Sequence, residues 1–268
     1  VVELLSRLGL GLVCSGAVAL FALRRGSLSR SGAAAALGIG TAIYLGGGAR
    51  WFLALLAFFV SSTLLGKVGK QRKARIKLEF EKGDTRDAWQ AFSNGGVAAL
   101  CALGALLAPH AAWGGAFLGA LATANGDTWA TELGTLSRAE PWSLRSLRRV
   151  PRGSSGAVSP LGLGATAAGG LLIGTILGGG VASTGPVLAA LGLLTGVLGS
   201  LADSLLGASV QASYRCPACD SKTEGNFHHC GSPTQLIGGF AWFDNDLVNL
   251  SATALGAALG ALGVALLG

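Results

Sequence analysis

Apolar residues in this chain come in long runs separated by short polar segments. A helix crosses the roughly 30 Å hydrocarbon core of a bilayer in about 20 residues. Runs of that order fall near 2–23, 33–49, 50–66, 93–109, 111–134, 159–180, 184–210 and 245–267. The pattern predicts an all-α, polytopic integral membrane protein with about eight transmembrane helices. The second and third runs are separated only by Gly46-Gly47-Gly48 and Arg50, little room for a turn. The first run carries Glu3 and Arg7 in its opening turns and lacks the basic amino end and small-residue cleavage pattern of a signal peptide.

Composition agrees. Of 268 residues, 51 % are hydrophobic and only 12 % charged, against roughly 25 % charged in a soluble domain. Five cysteines in so long a chain exclude a disulfide scaffold, and 44 glycines without a three-residue period exclude collagen. The net charge of +7 reads as a topology signal before a nucleic-acid footprint, and no nucleic-acid partner is expected. With both termini outside, the cytoplasmic segments are 24–32, 67–92, 135–158 and 211–244, and they hold 18 of the 20 Lys and Arg. Only Arg7 and Arg50 fall elsewhere, in keeping with the positive-inside rule. The expected organisation is a single membrane domain over 1–268 in the cell (inner) membrane. It has a basic loop at 67–92, a Gly/Ser/Arg loop at 135–158, and a Cys/His loop at 211–244. Glycines four apart (Gly115 and Gly119, Gly174 and Gly178, Gly192 and Gly196, Gly256 and Gly260) read as packing seams that permit a homodimer without requiring one.

The polar residues that lipid should exclude are the informative ones. Asp127, Glu132, Asp203, Asp244 and Asp246 lie in or beside apolar runs, and the topology puts all five toward the cytoplasmic side, with Asn94, Asn125, Asn245 and Asn249. On a helix, Asn125, Thr128 and Glu132 form one polar stripe and Asp127 and Thr131 an adjacent one. Carboxylates with hydroxyls between them suit a hard cation such as Mg2+. Asp244 is also placed as a helix cap.

The facing loops are basic. Lys67 through Lys77 are expected to contact anionic headgroups, whereas four-residue spacing aligns Lys82, Arg86 and Gln90 on one face near the acids. In RRVPRGSSGAVSP, Gly153, Ser154, Ser155 and Gly156 offer backbone amides to a phosphate beside Arg152. No Walker loop is present. Cations could hold a polyphosphate between acids and bases while lipid admits a hydrophobic tail, the profile of an enzyme acting on a lipid phosphate.

Residues 216–230 read CPACDSKTEGNFHHC. Cys216, Cys219 and Cys230 with His228 or His229 make a ligand set for tetrahedral structural Zn2+, with His229 the expected fourth ligand. In a reducing compartment such a set favours metal over a disulfide.

NGDTWATELG at 125–134, RRVPRGSSGAVSPLG at 148–162, GSLADSLLGASVQASYRCPAC at 199–219 and WFDNDLVNL at 242–250 resemble the domain of unknown function 92, or transmembrane protein 19, family. That family includes the plant chloroplast phytyl-phosphate kinase of vitamin E synthesis. The resemblance implies transfer of a nucleotide γ-phosphate, with CTP the expected donor, to an isoprenoid monophosphate such as phytyl, farnesyl or geranylgeranyl phosphate. It matches the acids Asp127, Glu132, Asp203 and Asp246, with Asn94, Asn245 and Asn249 as amide partners. On this basis Asp127 and Asp203, aided by Glu132 or Asp246, are the expected Mg2+ ligands. Arg152, Lys82 or Arg86 and the Gly153–Gly156 amides are expected to neutralise phosphate charge. The prenyl chain is expected to lie between small-residue helices. The rival readings are a transporter of a small or lipid-linked anion and a cytidylyltransferase making a CDP-lipid.

Overall fold

The computed structural model describes residues 1–69, 71, 73, 85–179 and 182–267. Among them are seven α-helices: α1 (Val2–Arg24), α2 (Arg30–Lys67), α3 (Ala88–Leu107), α4 (Ala111–Gly134), α5 (Pro160–Gly178), α6 (Gly185–Ser209) and α7 (Asn245–Leu267). The connections are not wholly helical. They hold the antiparallel pair β1 (Trp142–Ser143) and β2 (Ala157–Val158), and a three-stranded antiparallel sheet of β3 (Ser213–Arg215), β4 (Lys222–Thr223) and β5 (Gln235–Gly238), in the order β4-β3-β5.

Six of these helices are long and apolar enough to cross a membrane. The exception, α4, is the centre of the bundle. Its residues Gly115 through Gly126 are buried without interruption, as expected of a helix with neighbours on every side. Large side chains such as Leu4, Val13, Phe21, Leu100 and Leu107 are instead exposed on outer helices, which is the arrangement lipid requires.

The 38-residue α2 is not straight. At Gly48 the backbone takes φ 70° and ψ −164°, a region essentially confined to glycine, and the chain reverses. A Cβ at Gly40 would lie 3.3 Å from the Phe52 ring, whereas the intervening residues in a straight helix would separate them by about 18 Å. Tyr44 and Phe52 meet edge-on with centroids 5.7 Å apart. The two helices expected at 33–49 and 50–66 are therefore the arms of one hairpin. Little connecting chain is needed because glycine turns the backbone at a single residue.

Caps fix the other ends. Ser29 accepts from the Gly32 N–H at 3.0 Å, and Ser159 accepts from the Gly162 N–H at 3.1 Å, with Pro160 in the first turn of α5. Asp87 and Gln90 form a reciprocal capping box, so α3 starts at Ala88 rather than 93. The glycine pairs are packing seams inside the chain. A Cβ at Gly115 or Gly119 would strike the carbonyl of Gly260 or Gly256, and one at Gly170 or Gly174 would strike that of Gly192 or Leu188. The seams α4–α7 and α5–α6 are thus in backbone contact.

Chain direction alternates, which collects one set of ends together: the close of α1, both ends of α2, the starts of α3, α5 and α7, and the closes of α4 and α6. Backbone bonds such as Ser29 N–H to Arg86 O at 3.0 Å tie these ends to one another. Asp127, Glu132, Asp203 and Asp244 border a cavity among these ends, whereas Asp246 does not.

Candidate active site

A cavity of about 900 Å³ opens among these ends. Three chemically different walls meet in it. The acidic wall comes from α4 and α6, where Ser200 Oγ donates to Asp127 Oδ1 at 3.0 Å and Asp203 faces the same space. Asp203 Oδ2 is buried and has no hydrogen-bond partner among the described residues. The charge of Asp127 acts on Asp203. Thr128 lines the cavity beside them, its hydroxyl donating to Ala124 O at 2.8 Å.

Asn125, one position of the expected polar stripe, turns away. It is fully buried; its Nδ2 donates to Gly169 O at 2.7 Å and its Oδ1 accepts from Ser61 Oγ at 3.3 Å. Asn125 therefore braces the central helix against α5 and α2. Glu132 lines the cavity and is paired with Lys73, whose Nζ donates to Glu132 Oε2 at 2.5 Å and to Leu65 O at 2.8 Å. Lys73 is 1 % exposed, so the expectation that all of Lys67 through Lys77 meets headgroups fails at this residue. A buried ammonium must have a carboxylate beside it, and Glu132 supplies one. One basic residue among many in its segment gave no sequence signal of that role.

The basic wall contains Arg86 and Arg152. Arg86 precedes the α3 cap, in a parallel bridge with Leu28, so it does not share a helical stripe with Gln90; both nevertheless border the cavity. Burial lowers the Arg86 pKa, and the nearby Glu132 charge offsets part of that. Lys82 lies outside the described residues. Arg152 donates to Arg138 O. Gly153, Ser154, Ser155 and Gly156 all line the cavity. Ser154 N–H and Ala157 N–H are used within the turn, so among the described residues the amides left for a ligand are those of Gly153, Ser155 and Gly156. Ser155 Oγ donates to Gln211 Oε1 at 2.7 Å. Gly156 has φ 68°, and a Cβ there would strike Ser204 O; only glycine lets the turn lie on α6 against Ser204, the residue next to Asp203.

At the start of α7, Asp244 Oδ1 accepts from the N–H groups of Asp246 and Leu247, both at 3.1 Å, and so caps the helix. Asn245 and Asn249 line the cavity, as does Asn94 of α3, whose amide donates to Gln90 O at 3.0 Å. Asp246 is buried at 6 % exposure and is not among the lining residues.

The third wall is apolar. It is supplied by Val18 of α1 and by Ile39, Phe52, Leu55, Phe58 and Phe59 of the α2 hairpin. The glycine seams α4–α7 and α5–α6, read in the sequence as packing seams, are in backbone contact and leave no room for a hydrocarbon chain between those pairs.

Beside the cavity, the donor atoms of Cys216, Cys219, His228 and Cys230 lie within 4.8 Å of one another. His228 Nδ1 is 3.1 Å from Cys230 Sγ, and Cys216 Sγ is 3.6 Å from it. His228, not His229, joins the group; the His229 ring packs on that of His228 with centroids 3.9 Å apart and faces the cavity. Three sulfurs and one nitrogen at this separation fit a tetrahedral metal ion. Hydrogen bonds from Ser232 and His228 bring the Cys230 thiol down to about 5, while its contact with Cys230 pushes Cys219 up to about 11. Glu224, in the same loop, lines the cavity and acts electrostatically on Asp203. Its place between Lys222 and Gly225 in a polar loop did not mark it in the sequence.

No solved structure matches the chain. Protein PGR of Arabidopsis thaliana is 32 % identical over 269 residues, 91 % of each chain. An uncharacterized membrane protein of Synechocystis sp. is 26 % identical, covering 84 % of this chain and 78 % of its own. Protein VTE6, chloroplastic, of Arabidopsis thaliana is 27 % identical over 245 residues, covering 85 % of this chain and 63 % of its own. The model of the integral membrane protein family DUF92 matches residues 13–257, and the chain belongs to that family.

Proposed function

We propose that this protein is a prenyl-phosphate kinase, transferring the γ-phosphate of a nucleoside triphosphate, CTP in our reading, to an isoprenoid monophosphate. The observation that carries this reading is one cavity bordered at once by paired carboxylates, by arginines with a glycine-rich turn, and by an apolar hairpin. A nucleotide-metal complex, an anionic acceptor and a hydrocarbon tail each need one of these walls. The similarity to VTE6 and the resemblance to the phytyl-phosphate kinase of this family point the same way.

In this reading eight helical crossings include both arms of α2, both termini lie outside, and the cavity faces the cytoplasm of the cell (inner) membrane. Residues 1–268 act as one membrane domain. The acceptor is already an ionised monoester, so no strong base is required. One of its oxygens attacks the γ-phosphorus, the bond to the β-phosphate oxygen breaks, and the nucleoside diphosphate leaves. The task of the protein is to bring two anions together. Arg86 and Arg152 offset the approaching charge, and the amides of Gly153, Ser155 and Gly156 point donors at phosphate oxygens. Asp127 and Asp203 are the residues to hold Mg2+, and the unpartnered Asp203 oxygen fits that role. The ion supplies charge neutralisation and alignment of the nucleotide phosphates. Glu132, neutralised by Lys73, helps shape the wall rather than bind the ion. The apolar chain lies against α1 and the α2 hairpin, and structural Zn2+ occupies the Cys216, Cys219, His228 and Cys230 set.

The test is product identity. Purified protein in nanodiscs, given geranylgeranyl monophosphate, Mg2+ and each nucleoside triphosphate in turn, should yield prenyl diphosphate and nucleoside diphosphate by mass spectrometry. A CDP-lipid with pyrophosphate would replace the kinase reading with cytidylyl transfer.

A further inference from the structure

The cavity is deepest on its apolar side. Its acids and arginines sit at the helix ends, whereas its apolar wall continues between α1 and the two arms of α2 as far as Ser15, Gly40 and Phe52. Gly40 is ten residues along α2 from Arg30, about 15 Å at the helical rise, and Phe52 is fifteen residues before Lys67, about 22 Å. At that depth three segments converge: a Cβ at Gly40 would lie 2.5 Å from Ser15 Oγ of α1 and 3.3 Å from the Phe52 ring of the second arm. One turn farther from the site, α1 and the first arm come close to backbone contact, since a Cβ at Gly11 would lie 3.3 Å from Thr41 O and 3.2 Å from Tyr44 Cβ. The Tyr44 ring meets that of Phe52 edge-on, with centroids 5.7 Å apart. Along the flank, buried Ala19, Ala22 and Ala33 pack together, with Leu37 and Phe59 against them. The limb is thus open to the acids and arginines at one end and stopped at the other. With C–C bonds of about 1.5 Å an extended isoprene unit spans about 5 Å, so a limb of about 15–22 Å takes roughly three to four units.

We propose that Phe52, seated against Gly40 and Ser15 and backed by Tyr44, is the floor of the acceptor's hydrocarbon pocket, so that the protein takes prenyl monophosphates up to geranylgeranyl length and rejects longer polyprenyl chains. The proposal rests on the isoprenoid-acceptor reading above and deepens it, assigning the chain-length limit to one residue. A chain that fills the limb lays its hydrocarbon against Val18, Leu55 and Phe59 and keeps its phosphate at the helix ends. One further unit has to displace the Phe52 ring, and Tyr44 stands behind it. Leu55 lines the same limb about one turn of the second arm nearer the acids, so added bulk there raises the floor.

The experiment uses the whole chain in nanodiscs without nucleotide. A diazirine-tagged geranyl monophosphate labels the pocket, and unlabelled prenyl monophosphates, dosed as a mole fraction of lipid, compete for it. In the native protein farnesyl and geranylgeranyl monophosphate should compete alike, and pentaprenyl monophosphate should be weaker by about tenfold or more, the scale of overpacking a formed site. Phe52→Ala should bring pentaprenyl monophosphate to within about threefold of geranylgeranyl monophosphate. Leu55→Trp should weaken geranylgeranyl monophosphate about tenfold and leave geranyl monophosphate as in the native protein. Leu100→Ala, on an exposed residue of α3 away from the cavity, should shift nothing. Melting temperatures and labelling by the geranyl probe verify that each variant is folded. If pentaprenyl monophosphate competes as well as geranylgeranyl monophosphate in the native protein, or if folded Phe52→Ala and Leu55→Trp both keep the native profile, the floor is overturned while the kinase reading stands. If the length limit shifts as expected but no prenyl diphosphate forms in the product assay, the floor stands and the kinase reading falls. If no prenyl monophosphate competes at any length, both fall.

Discussion

Lys73 and Glu132 make the most exposed-to-test pair at the level of single residues, because both are nearly excluded from solvent. Removing one charge from such a pair costs about 3 kcal/mol or more. Lys73→Met should therefore lower the unfolding temperature in a fixed detergent clearly, and Lys73→Met with Glu132→Gln should recover part of the loss. A single variant with native melting behaviour would show that the pair adds nothing. A second residue-level expectation concerns pH. In the metal-free cluster Cys230 is a thiolate above about 5, while Cys219, pushed up to about 11, is still protonated at neutral pH. Metal binding must expel the Cys219 proton, so zinc affinity should rise with pH, about tenfold per unit for each proton released. Competition titrations between pH 6 and 8 with a chromophoric chelator measure this, and a flat profile would contradict it. At this scale the sequence was most readable where a residue was chemically out of place. Asp127 and Asp203 interrupt apolar runs and do face one cavity. Lys73 and Glu224 sit among residues of their own kind, where nothing in the composition separates a paired or cavity-facing charge from a solvated one. Asp246 shows the converse: an acid in a suitable stretch is buried behind the wall, while its neighbour Asp244 caps the helix.

Elements are governed here by glycine. Gly48 turns α2 back on itself at φ 70°, and Gly48→Ala should cost about 1–3 kcal/mol in backbone strain, read as a lower melting temperature. At Gly119 the obstacle is contact rather than conformation, since an added Cβ would strike the Gly256 carbonyl. Gly119→Ala should destabilise by about 1–3 kcal/mol. Gly164→Ala, with open space at that point of α5, should not. Equal melting temperatures for the two alanine variants would refute the seam. Helix placement was legible because hydropathy reports length and lipid contact directly. The central α4 was also expected, although it carries Asn125, Asp127 and Glu132, since its polar residues gather near one end. Which partner each glycine pair meets was not legible, for a four-residue spacing marks a close-packing face without naming the helix opposite. The start of α3 was misplaced because its first turn, Ala88 to Ala91, is stabilised by the Asp87–Gln90 box rather than by an apolar run.

At the level of the whole molecule, alternating helices bring the ends that carry Asp127, Glu132, Asp203 and Asp244 to one side, and the loops fold over them. Motifs distant in sequence thereby become walls of one space: the end of α4, the 153–156 turn, the end of α6 and the cysteine-histidine hairpin. The convergence of the first three was expected from topology alone; that of the hairpin, read in the sequence only as a zinc-stapled loop, was not. The source of the apolar wall was not, because a chain cannot declare which of its many leucines and phenylalanines border a cavity. The most direct measurement of the central claim follows label from CTP into lipid. Nanodisc-embedded protein with Mg2+ and geranylgeranyl monophosphate is given CTP labelled at the γ-phosphate or, in parallel, at the α-phosphate. The account predicts γ-label in the prenyl diphosphate, no α-label in lipid, and loss of at least about a hundredfold in rate with Asp127→Asn or Asp203→Asn. Appearance of α-label in the lipid, or γ-transfer at the native rate in both aspartate variants, would contradict it.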